Sequence, residues 1–133
     1  MIILWLLVLI AFPPKADGQT IYSSDFIVVH YIVDKDALVK GIILSTAHTY
    51  NVSSELMLAI AQCESGFKPD AQNPTSTASG IFQWLTSSFI SSAQAYEVPL
   101  DKNSVEVQAE LTAKVIAVEG TAKWDASQDC WNK

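Results

Sequence analysis

The sequence predicts a mainly α-helical domain, and three observations indicate this fold class. Apolar residues recur at helical spacing in four segments between residues 36 and 118. Polar capping residues precede several of these segments, and Gly66 and Gly120 follow two of them. The longest interruption, Lys68 to Ser79, has two prolines and many turn-forming side chains, which is typical of an ordered surface loop. Half of the residues are hydrophobic, enough for one core, so we expect a single folded domain over residues 35–133.

The first predicted helix starts near Asp36, with Asp34 or Asp36 as its cap. Its apolar residues recur at helical spacing: Leu38, Ile42 and Ala47, with Val39 and Ile43 beside them. A β-branched run, Phe26 to Val33, precedes this helix and fits either a strand or an early helical turn. The pattern leaves both alternatives open for this part of residues 19–34.

The third and fourth helices follow the long loop. The third is predicted over residues 86–96, with Thr86 as its cap. The fourth is predicted over residues 105–118, because Asn103 and Glu106 have the spacing of a capping box. No repeat or low-complexity tract interrupts the region, which supports one domain rather than two.

The N-terminus is an almost wholly apolar run, Met1 to Phe12. It is shorter than the roughly 20 residues that a membrane-spanning helix needs. The small residues Ala16 and Gly18 have signal-peptidase spacing, so residues 1–18 are predicted to be a signal peptide. Because no Lys or Arg precedes the run, an uncleaved membrane anchor through residues 1–12 is the alternative, with residues 19–34 as an N-terminal segment or tether. Both alternatives predict a secreted, periplasmic or cell-envelope protein.

The charge balance excludes some partners. The chain has eight lysines, no arginine and fourteen acidic residues, for a net charge of −6. Nucleic-acid binding needs a basic surface that neutralises phosphates, and this composition offers none. We therefore expect no nucleic-acid partner.

The two cysteines, Cys63 and Cys130, lack the close spacing of a zinc ribbon or a redox motif. Two separated histidines add little metal-binding capacity, so no metal site is predicted. Distant thiols of a small exported domain more often form a structural bridge than stay free. A Cys63–Cys130 disulfide is therefore predicted, in preference to a cysteine peptidase pair with His48.

One residue breaks the pattern of the second helix, which is predicted to start at Ser53 or Ser54 and to end before Gly66. Glu64 continues the apolar stripe at i, i+3, i+4, i+7 spacing instead of the solvated face. The stripe is formed by Met57, Ile60 and Ala61. Apolar surroundings and a helix C-terminus both favour the protonated form of a carboxyl group, the form that a general acid needs. A solvated helix-end glutamate is the alternative.

The motif around Glu64 is extended on both sides. Cys63-Glu64-Ser65-Gly66-Phe67 follows Leu58-Ala59-Ile60-Ala61 and precedes Pro69-Asp70-Ala71 and Ser79-Gly80-Ile81-Phe82-Gln83. In order and spacing, these segments resemble the lytic transglycosylase family, whose soluble-transglycosylase domain is lysozyme-like. Glu119-Gly120, Trp124 and Cys130-Trp131 are similar to the closing segment of small secreted members. The resemblance covers about residues 36–133 and implies an all-α, lysozyme-like catalytic domain.

The resemblance implies that Glu64 is the catalytic acid/base, with peptidoglycan glycan strands as substrate and no cofactor. Glu64 would protonate the glycosidic oxygen between N-acetylmuramic acid and N-acetylglucosamine. It would then take a proton from the sugar's own 6-hydroxyl, leaving a 1,6-anhydromuramyl end. Ser65 would orient the Glu64 carboxyl or bond the acetamido group, and a local bond to helix-end carbonyls is an equal alternative. Gln83 would contact the substrate.

Three further positions are implied at the cleft. Gly80 is expected to allow close approach of the backbone to a sugar, or an unusual φ. Trp84 and Trp124 are candidates for stacking on a sugar face, with core packing as the alternative. Phe82 and Trp131 are expected in the core.

The sequence also departs from larger family members, because the helix before Gly120 lacks their late tyrosine motif. A hydrolase of the same bond, a muramidase, is one alternative function, and it would need a second carboxylate. Asp70, Asp101 and Glu119 are the candidates, with solvated loop or cap roles favoured. A non-catalytic wall-binding or assembly component is the other alternative.

The net charge of −6 bears on where the protein acts. An anionic cell wall does not attract an anionic protein from solution. We therefore expect local action, opening the wall for growth or for a secretion or transfer apparatus.

Overall fold

The computed structural model describes residues 34–133. This part of the chain holds four longer α-helices followed by a short 3-10 helix and a short α-helix. They are α1 (Lys35–Thr49), α2 (Ser54–Ser65), α3 (Thr86–Ala95), α4 (Val105–Glu119), the 3-10 helix η1 (Ala122–Ser127) and α5 (Gln128–Trp131). Between residues 34 and 133 there is no strand, only isolated bridges that join Ser79 to Gln72 and to Trp84. The predicted all-α fold class is confirmed.

The predicted signal peptide or anchor, and the run Phe26 to Val33, lie outside the described residues. From α1 to α5, no helix is long and apolar enough to cross a membrane.

The helix α1 begins at an aspartate cap, as predicted, and Asp34 is the residue that fills this position. Its carboxylate accepts a hydrogen bond from the Asp36 backbone N–H at 3.0 Å. The inner face is Val39, Ile43 and Ala47, all buried, whereas Leu38 is 57% exposed. Helical spacing did not distinguish the Leu38 row from the Val39 row, because adjacent rows lie about 100° apart on a helix and packing against α2 and α4 selects one of them.

The helix α2 has both predicted ends. The Ser53 hydroxyl accepts a hydrogen bond from the Leu56 N–H at 3.1 Å. Gly66 ends the helix in the left-handed region with φ 60°, which glycine adopts without a Cβ penalty.

Two predicted caps were wrong by one residue. Thr86 is the first residue of α3, and the loop satisfies its backbone N–H through the Thr77 hydroxyl at 3.2 Å. Ser104, not Asn103, caps α4, because its hydroxyl accepts from the Val107 N–H at 3.2 Å.

The core lies between α1, α2 and α4, with α3 packed on α4. The loop between α2 and α3 adds to it, because Ile81 and Phe82 are fully buried although they lie outside any helix. Burying a large apolar side chain stabilises a fold by about 1.5–3 kcal/mol. The end of the loop is therefore anchored by its own side chains, which positions the residues around Gln83.

Candidate active site

Glu64 lies in the last turn of α2, at the end of the apolar stripe. Met57, Ile60 and Ala61 of this stripe are fully buried, and Glu64 is partly buried one turn further on. The left-handed Gly66 then turns the chain away from the helix axis. The carboxylate thus sits at the boundary between core and solvent, where a proton donor can meet a large substrate.

The predicted disulfide is present and joins Cys63 to Cys130, with Cα atoms 6.0 Å apart. Because Cys63 precedes Glu64 directly, the bond holds α5 against the end of α2. The helix α2 also contacts η1. The C-terminal segment therefore forms one side of the candidate site.

This segment supplies a direct contact to the carboxylate. The Ser127 hydroxyl donates to Glu64 Oε1 at 2.5 Å. Ser127 Oγ also lies 3.1 Å from the Trp124 carbonyl oxygen and 3.1 Å from Trp131 Nε1. Glu64 thus belongs to a small hydrogen-bonded network.

Ser65, the residue after Glu64, joins α2 to the loop between α2 and α3. Its hydroxyl is 2.9 Å from the Ile81 carbonyl oxygen and 3.2 Å from the Ala61 carbonyl oxygen. The Ala61 contact is the local helix-end bond that was one of the two alternatives for this residue. Ser65 therefore ties the segment that carries Gln83 to the helix that carries Glu64.

Gly80 has φ +80°, the unusual backbone conformation that was one expectation for it. A Cβ at this position would lie 1.8 Å from Gln108 Nε2. The Gln108 side chain is buried and bonds three backbone groups: the Phe82 N–H, the Ser79 carbonyl and the Lys102 carbonyl. The small size of Gly80 thus makes room for the glutamine that holds the loop.

Gln83 has φ +49° and is partly buried. Its side-chain N–H group donates to the Gly80 carbonyl at 3.0 Å and to the Ala71 carbonyl at 3.2 Å. These bonds hold the amide group in one orientation, so its Oε1 atom is presented by a rigid turn.

Trp84 and Trp124 are in the core, 3% and 4% exposed. Trp84 Nε1 donates to Thr112 Oγ1 at 3.0 Å, and Trp124 Nε1 donates to the Phe82 carbonyl at 3.0 Å. Their rings pack edge to face with centroids 5.4 Å apart. This burial supports the core-packing alternative and leaves little of either ring for a sugar.

Gln83, Trp84 and Trp124 nevertheless border one small pocket. Leu85, Ser88 and Lys123 complete its lining, and its volume is about 120 Å³. Ligand pockets usually have about 300–1,000 Å³. The pocket thus has room for a substituent of a sugar rather than for a whole ring.

The other candidate carboxylates have contacts of their own. Asp70 is an exposed loop residue, and Asp101 accepts from the Asn103 N–H at 3.1 Å. Glu119 accepts from the Tyr96 hydroxyl at 2.7 Å, which lowers the pKa of Glu119 and raises that of Tyr96. These placements agree with loop and cap roles.

Within residues 34–133, no three His, Cys, Asp or Glu side chains are grouped so as to hold a metal ion.

Sequence reasoning missed Ser127 and Gln108. Neither belongs to the quoted motifs, and Gln108 has no local signal at all. Ser127 had a local signal, because it lies three residues before Cys130. A bond between Cys63 and Cys130 therefore brings Ser127 close to Glu64.

The domain thus presents a half-buried glutamate at the end of α2, and Ser65 ties the loop that follows to the same helix. A family model described as Transglycosylase SLT domain matches residues 41–119, more than half of the chain. The protein belongs to this family, which confirms the predicted family and indicates peptidoglycan cleavage, outside the cytoplasm, as its general activity. The matched region contains Glu64 and Gln83 but ends before η1 and α5. Searches of curated proteins and of solved structures gave no match.

Proposed function

We propose that this protein is a peptidoglycan lytic transglycosylase in which Glu64 acts as both acid and base. The observation that carries the proposal is the position of Glu64, partly buried at the end of α2 with Oε1 hydrogen-bonded to Ser127. Oε1 of this carboxyl group accepts from Ser127, and within residues 34–133 no side chain donates to Oε2. We therefore assign Oε2 to the substrate. Family membership supports the substrate class.

In the first step, the protonated Glu64 gives its proton to the oxygen between N-acetylmuramic acid and N-acetylglucosamine. The bond from that oxygen to C1 of the muramyl sugar then breaks. In the second step, the 6-hydroxyl of the same sugar attacks C1 and loses its proton to the Glu64 carboxylate. The product is a 1,6-anhydromuramyl end, and Glu64 is protonated again. No water is consumed, so one carboxyl group suffices where most glycosidases use two.

We place substrate contacts on the loop that Ser65 ties to α2. Gln83 is the main candidate, because two backbone carbonyls hold its side-chain N–H group and the residue lines the small pocket. Ser65 and Gly80 support this contact by fixing the loop to α2 and to Gln108. The exposed parts of Trp84 and Trp124 would then border a sugar substituent.

The test is mass spectrometry of muropeptides released from purified peptidoglycan by the wild-type protein and by Glu64→Gln. Loss of acid/base catalysis lowers rates by about 10²–10⁴-fold, so anhydromuramyl products should vanish in the variant. Glu97→Gln is the matched control, since it removes one exposed carboxylate away from α2 and should keep full activity.

Each other outcome contradicts part of the proposal. Reducing ends instead of anhydro ends would make the protein a muramidase with a second carboxylate. Equal release by wild type and Glu64→Gln would remove Glu64 from the chemistry. Absence of release by the wild type would favour a wall-binding or assembly role.

We further propose that the protein acts locally on the wall, alongside cell-wall or secretion machinery. The net charge of −6 supports this, because it opposes adsorption to an anionic wall from solution. Binding to intact walls should therefore rise when salt screens the repulsion. Binding that is unchanged or weaker at higher salt would refute the charge argument.

A further inference from the structure

We propose that Ser127 is a positioning residue for Glu64, and that its hydroxyl holds Oε1 of Glu64 in place while Oε2 gives up and takes back the proton. The inference rests on the proposed role of Glu64 as acid and base. It assigns a function to the C-terminal segment, which lies beyond the region that the family model matches.

The geometry consists of three atoms around one hydroxyl oxygen. Ser127 Oγ is 2.5 Å from Glu64 Oε1 and 3.1 Å from the Trp124 carbonyl oxygen. Trp131 Nε1 is 3.1 Å from Ser127 Oγ and 3.1 Å from the same Trp124 oxygen. Each neighbour of Ser127 is thus a fixed donor, a fixed acceptor, or the carboxyl group itself.

The donors and acceptors define one arrangement that serves both protonation states of Glu64. A hydroxyl has one proton to donate and accepts through two lone pairs, whereas an indole N–H only donates. When Glu64 is ionised, Ser127 donates to Oε1 and accepts from Trp131. When Oε2 carries the proton, Oε1 still accepts from Ser127, and Ser127 still accepts from Trp131. Every group keeps a partner in both states, and no heavy atom has to move.

The frame around Ser127 is rigid. Trp124 is 4% exposed and anchored by its bond to the Phe82 carbonyl. On the other side of Ser127, Cys130 is bonded to Cys63, next to Glu64 in the chain. Ser127 is therefore held between two fixed points, which lets it hold the carboxyl group in one orientation through both proton transfers.

The test compares kcat and KM for release of anhydromuramyl products from soluble, uncrosslinked glycan strands. A hydrogen bond to a charged group contributes enough to change kcat by about tenfold to a hundredfold. Ser127→Ala should lower kcat by this factor and leave KM within about twofold, because Ser127 acts through Glu64 and not on the sugar. Ser127→Thr keeps the hydroxyl and should restore most of kcat.

A matched pair covers the case in which the alanine variant is poorly folded. Ser127→Thr and Ser127→Val have nearly the same shape and differ in the hydroxyl, so only the threonine variant should keep a high kcat. Equal kcat values for this pair would overturn the inference, as would a rise in KM at unchanged kcat. If Glu64→Gln abolishes turnover but Ser127→Ala behaves as wild type, only the role of Ser127 fails. If Glu64→Gln is active, the proposed function fails first.

Discussion

Removal of the Cys63–Cys130 disulfide should destabilise the protein strongly, through its effect on the unfolded chain. The bond joins residues 67 positions apart, so it closes most of the described domain into a loop. In the chain-entropy model, a loop of this length contributes about 4 kcal/mol to the free energy of unfolding. Cys130 is exposed and Cys63 only partly buried, so replacement by alanine removes little packing. The measured change should therefore report the cross-link.

The assay is urea unfolding of wild type and of the double variant Cys63→Ala/Cys130→Ala at equal temperature and pH. The free energy of unfolding should fall by about 4 kcal/mol. The slope against urea should rise as well, because an unfolded chain without the cross-link exposes more surface. Wild type under reducing conditions is the control, and it should match the double variant.

A loss below about 1 kcal/mol would refute this reasoning, since the loop term alone is several times larger. An unchanged slope would refute it in another way, because it would mean that the cross-link does not compact the unfolded chain. If the reduced wild type were much more stable than the double variant, the effect would belong to the alanine substitutions.

Two further predictions concern the loop around Gly80 and the free energy of unfolding at acidic pH. Gly80→Ala should cost at least about 2 kcal/mol of unfolding free energy, because it combines a left-handed φ with displacement of the buried Gln108 amide. Urea unfolding should show a smaller cost for the same change in a Gln108→Ala background, and an equal cost in both would contradict the clash. Hydrogen bonds from Lys114 and Tyr50 lower the pKa of Glu110 from its ordinary 4.5, so its stabilisation is present above that value and lost as pH falls through the lower folded pKa. The loss of unfolding free energy between pH 7 and pH 3 should thus be smaller in Glu110→Gln, by about 0.3–0.5 kcal/mol for a partly exposed i,i+4 helical pair. An identical loss in both proteins would argue against the pairing.

Much of the helical framework was predictable because its signals are local. Ser53 and Gly66 mark the two ends of α2 through side-chain and backbone preferences that act within one turn. The cap of α3 was misplaced by one residue because Leu85, which forms no side-chain cap bond, precedes this helix, and the cap of α4 was misplaced for a reason that is local. Neighbouring polar residues such as Asn103 and Ser104 both suit a cap, and the packing of the helix decides which one is used.

The buried faces were less predictable than the helices themselves. The choice between the Leu38 row and the Val39 row of α1 depends on where α2 and α4 lie, and that information is not local. The same holds for Trp84 and Trp124. An indole suits either a core or a sugar-binding face, and only their burial against Phe82 and Thr112 places them in the core.

The sequence by itself determined the all-α fold class, the glutamate at the end of α2 and the pairing of its two cysteines. These follow from periodicity, capping chemistry and the small number of thiols, which are properties of short segments or of composition. Only the tertiary structure decided what surrounds Glu64. Ser127 reaches it across 63 residues of chain, and Gln108 holds the loop from α4. Such contacts arise when the core closes and brings distant segments together. No spacing along the chain encodes the contacts of Gln108, and the clue to Ser127 is its position three residues before Cys130.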